Sequence, residues 1–191
     1  MPPKVKITKK DIIKMGVELV RKDGYATLNA RNLALALNCS TQPVFSNFGN
    51  MEEVERAVIS SAYELYLEFL RKEAESGKYP RYKAFGMAYI RFAKEEKELF
   101  KLLFMRDRGS EEDMGMSPDF KASVEMISQA NGITPDAAKL MHLEMWGFVH
   151  GIGTMLATSF FTMEWELISD MLTDVYQGLR ARFCKKANEE E

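Results

Sequence analysis

The chain has 191 residues, of which 46% are hydrophobic and 28% are charged, a balance that excludes a disordered protein. It contains only 6 Pro and 12 Gly and has few alternating β-branched runs, which favours an all-α fold. The net charge is −2, but residues 1–50 carry eight Lys or Arg against three acids, a charge of +5, and the remainder therefore carries −7. A basic segment on an acidic body is typical of a DNA-binding domain, although a solvated helix face would give the same charges.

Cysteine usage and hydropathy limit the class of protein further. Cys39 and Cys184 are too far apart to define a disulfide or metal framework, and we expect both to be reduced thiols. No apolar run has the length of a membrane span, and the Lys-rich start is unlike a signal peptide. We therefore expect a cytoplasmic protein that has no membrane partner, no metal and no cofactor.

The first helix follows a basic arm (1–7). Thr8 and Asp11 have the spacing of a capping box, and an apolar stripe follows them until Asp23-Gly24 ends the helix. Tyr25 and Leu28 are expected to fill the small core behind this helix.

Residues 29–48 predict two short helices joined by a tight turn. Asn29 caps the first of them, Asn38 suits the left-handed conformation that ends it, and Ser40 is placed to cap the second. Val44 and Phe48 form an apolar pair on the second helix, which leaves its uncharged hydrogen-bonding side chains on another face. This pattern is typical of a helix-turn-helix that reads base edges.

Caps, prolines and apolar periodicity place the remaining helices at 51–76, 80–94, a short one ending near Arg106, 118–130, 135–161 and 164–184. Residues 107–116 are predicted to be a mobile loop. The prediction is an all-α chain of about nine helices with no strand.

The N-terminal helices followed by a longer helical body resemble the TetR/AcrR family of bacterial transcriptional regulators. The residues that carry this resemblance are Gly24-Tyr25, Leu33-Ala34, Ser40, Val44-Phe45, Phe48, Glu52-Glu53-Val54 and the run Trp146-Gly-Phe-Val-His150-Gly151. The resemblance implies a helix-turn-helix DNA-binding domain over residues 1–50 and a helical effector-binding and dimerisation domain over residues 51–191.

The chain departs from the family pattern at four positions. Asn38 replaces the usual Gly of the turn and Asn47 replaces the usual His. Phe45 replaces the usual Tyr, which removes a hydroxyl, and Met51 replaces the usual Lys, which removes a charge. Because phosphate contacts position a protein without carrying sequence information, we expect weaker non-specific DNA affinity and an unchanged fold.

The predicted DNA contacts form two groups. Thr41, Gln42 and Ser46 are expected to touch bases or backbone, and Gln42 can pair with adenine through two hydrogen bonds. The side chains expected to hold the backbone are Asn29, Arg31, Ser40, Phe45 and Asn47. The alternative is that these residues are solvated helix ends, and Asn29 and Ser40 have capping roles in either case.

Aromatic and Met side chains of the helical body predict either a plain core or a pocket for an apolar or aromatic effector. The residues of this set are Tyr63, Tyr66, Phe69, Phe85, Tyr89, Phe92, Phe104, Met126, Met145, Trp146 and His150. The simpler interpretation of His150 is a buried, hydrogen-bonded histidine beside Trp146. No nucleophile or short-spaced carboxylate accompanies it, so we do not expect an enzyme.

A seam of small residues at Gly147, Gly151 and Thr154 permits close helix approach, within one chain or between two. The resemblance implies that helices 8 and 9 of two subunits form a four-helix bundle. On the last helix we expect the interface to include Ile168, Leu172, Val175 and Leu179.

These features predict a ligand-responsive, sequence-specific regulator that acts as a repressor and leaves a palindromic operator when it binds a small effector. Its partners would be double-stranded DNA, a second copy of itself and an effector of unknown identity. The alternative is a helical small-molecule-binding or interaction module with little operator specificity.

Overall fold

The computed structural model describes residues 7–107 and 118–189, apart from the side chains of Pro118 and of 185–189. The predicted basic arm, except Ile7, and the predicted loop, except Asp107, lie outside the described residues.

All the regular secondary structure of the described residues is helical, which confirms the predicted all-α fold. It contains α1 (Lys9–Asp23), α2 (Ala30–Ala36), α3 (Gln42–Asn47), α4 (Met51–Glu75), α5 (Arg81–Glu95), α6 (Lys97–Phe104), α7 (Pro118–Asn131), α8 (Pro135–Ala157) and α9 (Trp165–Glu189). None of these helices is both long enough and apolar enough to cross a lipid bilayer. A single 3-10 turn, Tyr25–Thr27, joins α1 to α2.

Local capping chemistry sets several of the helix starts. Thr8 and Asp11 form the predicted capping box of α1, and Asn29 and Thr134 cap α2 and α8 through their side chains. Asn38 has a φ of 51°, so the predicted left-handed turn residue is confirmed.

The predicted cap of α3 is wrong. Thr41, not Ser40, is the N-cap residue, and its φ of −70° and ψ of −15° are helical, with no hydrogen bond from its side chain to the helix. Pro43 lies in the first turn and has no N–H, which removes one of the donors that a cap would satisfy.

The end of α8 also differs from the prediction, since the helix stops at Ala157 and not at 161. Ser159 adopts a φ of 55°, and the Phe160 N–H donates to the Met155 carbonyl at 2.9 Å. This left-handed cap closes the last turn without a glycine.

The chain forms two compact units, the first comprising Met1–Glu68 with Glu95–Arg106 and the second comprising Phe69–Lys94 with Asp107–Glu191. We call them unit 1 and unit 2. Unit 1 extends beyond the predicted boundary after residue 50, because part of α4 and all of α6 cluster with α1–α3. The separate roles predicted for residues 1–50 and 51–191 stay a prediction.

The core of unit 1 is built on a close approach of α1 and α4. A Cβ added to Gly16 would lie 2.5 Å from Val58 Cγ2, so only glycine permits this spacing. Leu28 is buried as predicted, but Tyr25 is 40% exposed and donates its hydroxyl to Glu55 at 3.0 Å. The 3-10 turn, which was not predicted, places Tyr25 at the surface of the unit.

The core of unit 2 lies among α5, α7, α8 and α9. Its fully buried side chains include Met87, Ile90, Phe92, Met141, Ile152 and Ile168. A Cβ on Gly86 would lie 3.0 Å from Leu172 Cδ2, which shows how closely α5 approaches α9.

Candidate functional site

The surface around α3 carries most of the predicted DNA contacts in exposed positions. Among them, the exposed side chains are those of Asn29, Arg31, Ser40, Thr41, Gln42, Phe45 and Ser46. Asn47 differs, because it is half-buried and its amide donates to the Pro43 carbonyl at 2.8 Å and to the Ile7 carbonyl at 3.2 Å. Asn47 therefore ties α3 to Ile7, which precedes α1, and does not reach outward.

Some side chains of this set are used in hydrogen bonds within the protein, and others can still bind an external partner. Asn29 accepts from the Asn32 N–H at 2.9 Å, and Ser46 donates to the Pro43 carbonyl at 3.1 Å. Thr41 and Gln42 make no side-chain hydrogen bond within the described residues. The first turn of α3 thus presents a hydroxyl and a carboxamide with unused donors and acceptors, the groups that read base edges.

An exposed leucine near this surface was absent from the predicted contacts, which did include Phe45. Leu35 on α2 is 79% exposed, and Phe45 on α3 is 48% exposed, so apolar side chains stand beside the polar ones. An i, i+4 pattern identifies which residues of α2 are buried, but it gives no signal that an outward leucine has a role.

The basic face of α1 lines a groove of about 490 Å³ in unit 1. The groove residues are Lys9, Lys10, Ile13, Lys14, Val17, Glu18 and Ser61. None of the three lysines is paired with a carboxylate within the described residues, whereas Glu18 is paired with Arg21. These three lysines therefore keep their positive charges without a paired carboxylate among the described residues.

The residues predicted to line an effector pocket are divided between the two units. Tyr63, Tyr66 and Phe104 belong to unit 1, and the Tyr66 ring meets the Phe104 ring edge-on at 5.2 Å. In unit 2, Phe69 meets Phe92 edge-on at 5.3 Å. The other unit 2 members of the set are Phe85, Tyr89, Met126, Met145, Trp146 and His150.

Two tyrosine–histidine hydrogen bonds join α5 to α8. The Tyr82 hydroxyl lies 2.8 Å from His142 Nδ1, and the Tyr89 hydroxyl lies 2.8 Å from His150 Nδ1. Trp146 stacks on His150 with ring centroids 4.9 Å apart and planes 12° apart. The hydrogen bond and the tryptophan neighbour agree with the simpler interpretation of His150, but the side chain is half-buried and not buried as that interpretation expected.

Burial keeps both imidazoles neutral near pH 7. Removal from water lowers the pKa of His142 to about 4 and also lowers the pKa of His150. Burial, with a smaller effect from Tyr176, raises the pKa of the Tyr82 phenol. Each pair is therefore a neutral hydrogen bond that fixes the register of α5 on α8, an arrangement that the sequence analysis missed.

A second groove, of about 520 Å³, lies along α7 and the start of α8. Its lining residues are Phe120, Lys121, Val124, Glu125, Ser128, Gln129, Pro135 and Lys139, and no residue of the predicted effector set is among them. No cluster of three or more His, Cys, Asp or Glu suited to a metal occurs within the described ranges. The effector pocket stays a prediction.

The predicted dimer residues fall into two groups. A Cβ added to Gly147 or Gly151 would meet nothing within 4 Å, so this part of α8 faces open space. Thr154 is half-exposed, and Val175 and Leu179 on α9 are half-buried. Ile168 and Leu172 are 0% and 2% exposed, so their place in the predicted interface is wrong: they are core residues of unit 2.

The periodicity of α9 could not distinguish its buried side from its outer side. Leu167, adjacent to Ile168, is 51% exposed, and on α8 Leu140 and Leu143 are 44% and 43% exposed. Gly178 on α9 also faces open space. The outer surfaces of both helices therefore combine exposed leucines with glycines.

Comparison with known proteins identifies the helical body. Residues 82–175 match the family model described as the tetracyclin repressor-like C-terminal domain, a match that extends from α5 into α9. A search of curated proteins found no match. The matched region, the helices of the described residues and the N-terminal helix-turn-helix agree with one another, and together they support membership of the TetR family.

Proposed function

We propose that the protein is a ligand-responsive, sequence-specific DNA-binding repressor that leaves a palindromic operator when a small apolar or aromatic effector binds. DNA binding is supported mainly by the first turn of α3, where Thr41 and Gln42 are exposed and make no side-chain hydrogen bond within the described residues. Family membership supports the regulatory part.

Affinity and specificity are assigned to different segments of unit 1. Gln42 offers a carboxamide that matches adenine N6 and N7, and the exposed Phe45 offers an apolar contact for a thymine methyl group. Lys9, Lys10 and Lys14 on α1 pair with no carboxylate in the described part of the chain, and they supply positive charges for phosphates. At positions 45 and 51 the family usually has Tyr and Lys, whereas this chain has Phe45 and Met51. The α1 lysines therefore contribute a larger fraction of the non-specific affinity for DNA.

Binding to duplexes tests the assignment. Gln42→Ala should weaken binding to a selected palindrome by about 1–3 kcal/mol, because one bidentate base contact is lost, and should leave binding to random duplex unchanged. Lys14→Ala is the matched control: it should weaken both complexes and reduce the salt slope by about 1. Fluorescence anisotropy at several salt concentrations measures both effects.

One alternative function is favoured by the same two replacements, Phe45 and Met51, which remove backbone anchors. A helical binding module without operator specificity would select no palindrome and would bind its own upstream DNA no better than random DNA. That pair of results would exclude the repressor.

We assign dimerisation to the outer surfaces of α8 and α9. The support is the combination of exposed Leu140, Leu143 and Leu167 with open space at Gly147 and Gly178. Small residues let two helix backbones approach closely, and the leucines supply apolar area for a second copy of the surface.

Gly147→Ala tests whether this part of α8 is a dimer interface or only an exposed helix surface. In an isolated chain this change should stabilise α8 by about 0.5–1 kcal/mol, because alanine has the higher helix propensity and its Cβ meets nothing. In a dimer the added Cβ should instead weaken association. Sedimentation equilibrium measures the dimer dissociation constant. Ser60→Ala, at an exposed position of α4, is the control. An unchanged dissociation constant for Gly147→Ala contradicts the assignment.

We assign effector binding to the predicted set of aromatic, methionine and histidine side chains within residues 51–191. α4 contributes residues to both compact units, so a displacement of this helix is the route by which effector binding would alter DNA binding. Native mass spectrometry of the freshly purified protein tests this step. A retained small molecule whose removal changes operator affinity supports it, and an operator affinity that no extract of apolar metabolites alters contradicts it.

A further inference from the structure

Positive charge is concentrated at the α4–α5 turn of the otherwise acidic unit 2. Residues 69–94 carry seven Lys or Arg against two acids, whereas residues 107–191 carry seven against fifteen. Within this segment, one of the two acids, Glu73, is already paired with Arg91 at 3.1 Å. Three cations remain at the turn and at the start of α5, namely Lys78, Arg81 and Lys83, and we call them the basic cluster.

Lys83 is the member of the basic cluster with the most restricted position. Its side chain is half-buried, and Nζ donates to Ser169 Oγ and to Thr173 Oγ1, each at 2.7 Å. Both acceptors are neutral hydroxyls of α9. Partly buried cations are normally paired with an acid, so this ammonium is positioned but its charge is not compensated.

One of the two hydroxyls that contact Lys83 still has a hydrogen atom that it can donate. The Thr173 hydroxyl donates to the Ser169 carbonyl at 3.0 Å. The Ser169 hydroxyl accepts from Lys83 and makes no other side-chain hydrogen bond within the described residues, so it retains an O–H to donate. An ammonium and a hydroxyl, both fixed between α5 and α9, therefore present donors to an external acceptor.

Lys78 shares an aromatic neighbour with Lys83, and Arg81 lies two residues before Lys83 in the first turn of α5. The Lys78 and Lys83 ammonium groups lie 5.2 and 5.1 Å from the centre of the Tyr79 ring, so they are within about 10 Å of each other. Arg81 is exposed, with its guanidinium 5.9 Å from the Phe85 ring. No member of the basic cluster is paired with a carboxylate in the part of the chain that the structure describes.

The position of the basic cluster on its helix is electrostatically unfavourable without an anion. The first turn of α5 contains no acid, and cations at a helix N-terminus repel the positive end of the helix dipole. An anion at this place would offset the uncompensated charge of Lys83 and the repulsion between the basic side chains and the positive end of the α5 dipole.

We propose that the basic cluster, with the hydroxyls of Ser169 and Thr173 behind Lys83, is a binding site for a small phosphate-bearing anion. Ammonium, guanidinium and hydroxyl donors together match the several acceptor oxygens of a phosphate group. The proposed donors include no residue of the apolar effector set, although Arg81 lies near Phe85, and they require no DNA, so this proposal does not depend on the proposed function.

Isothermal titration calorimetry of the full chain with pyrophosphate and with inorganic phosphate, at constant ionic strength, tests the site. We expect saturable one-to-one binding that is tighter for pyrophosphate. Lys83→Met keeps the length of the side chain but removes its charge, and it should weaken binding about tenfold or more, the effect of losing one charge-assisted hydrogen bond. Lys139→Met, at an exposed lysine of the same unit, is the matched control and should change binding less than about twofold.

Ser169→Ala is a second variant, which removes the spare O–H without changing the charge. It should weaken pyrophosphate binding severalfold while circular dichroism shows an unchanged helix content. No saturable binding of either anion overturns the proposal. Equal weakening by Lys83→Met and Lys139→Met also overturns it, because it would show attraction to the overall charge alone. If Lys83→Met instead weakens binding to duplex DNA, the basic cluster serves the nucleic acid backbone and the small-anion site is excluded.

Discussion

Replacing His142 by Gln should make the protein less sensitive to acid. In the folded chain His142 is 9% exposed, its Nδ1 lies 2.8 Å from the Tyr82 hydroxyl, and its ring meets Phe120 edge-on at 4.7 Å. Glutamine is neutral at every pH of interest and retains an oxygen that can accept from Tyr82. The substitution therefore removes the titrating group while leaving the tyrosine with a partner.

The size of the effect follows from the pKa of His142, which burial lowers from an ordinary value of 6.5 to about 4. Below about pH 6.5 the unfolded chain binds a proton at this residue that the folded chain does not bind, so the free energy of unfolding falls as the pH falls. Between about pH 7.5 and pH 5 this single group should cost about 2 kcal/mol, and by about pH 4 about 3 kcal/mol. His150 titrates in the same direction, but it is present in both proteins and cancels from the comparison.

Urea unfolding at the two pH values, followed by tryptophan fluorescence, measures the difference. The quantity to compare is the loss of unfolding free energy between the two pH values, not the absolute stability, since Gln also changes the packing against Phe120. We expect the loss to be smaller by about 2 kcal/mol in His142→Gln than in the unaltered protein. Equal losses in the two proteins would refute the claim that a buried neutral histidine supplies this dependence.

Three further predictions concern unit 1 and are measured by thermal and chemical unfolding with circular dichroism. Gly16→Ala should lower the free energy of unfolding by about 1–3 kcal/mol, because the new Cβ would lie 2.5 Å from Val58 Cγ2; an unchanged midpoint contradicts the close approach. Asn38→Ala should lower it by about 1 kcal/mol and Asn38→Gly should not, since φ is 51° there; equal effects of the two contradict the left-handed turn. Asn29→Ala should lower it by about 1 kcal/mol, whereas Asn29→Ser should preserve it, and a loss for both would show that the cap is not the cause.

Helix starts and turns could be predicted from the sequence because their determinants are local. The capping box of Thr8 and Asp11 and the left-handed Asn38 each depend on a few neighbouring residues, and the structure contains both. The cap of α3 was misplaced by one residue because Ser40 and Thr41 are both capable hydroxyl residues, and the backbone angle, not the side chain, decides between them.

The candidate sites were predictable to different degrees for a physical reason. Exposure of Gln42 follows from its place opposite Val44 on one short helix, so the exposed polar face of α3 could be inferred from periodicity. The Tyr82–His142 bond joins residues 60 positions apart, and no local pattern specifies it. Periodicity likewise placed Ile168 on an apolar side of α9 without showing that this side faces the protein interior.

The two tryptophans make the fluorescence of this chain selective for one of its compact units. Trp146 and Trp165 are the only tryptophans in the sequence, and both belong to unit 2. Trp146 stacks on His150, and the Trp165 ring lies 4.5 Å from the Arg91 guanidinium, so each indole reports its own polar neighbour. Fluorescence therefore records the unfolding of unit 2 without an added label, and circular dichroism adds the helices of unit 1. A difference between the two unfolding midpoints would measure how independently the units unfold.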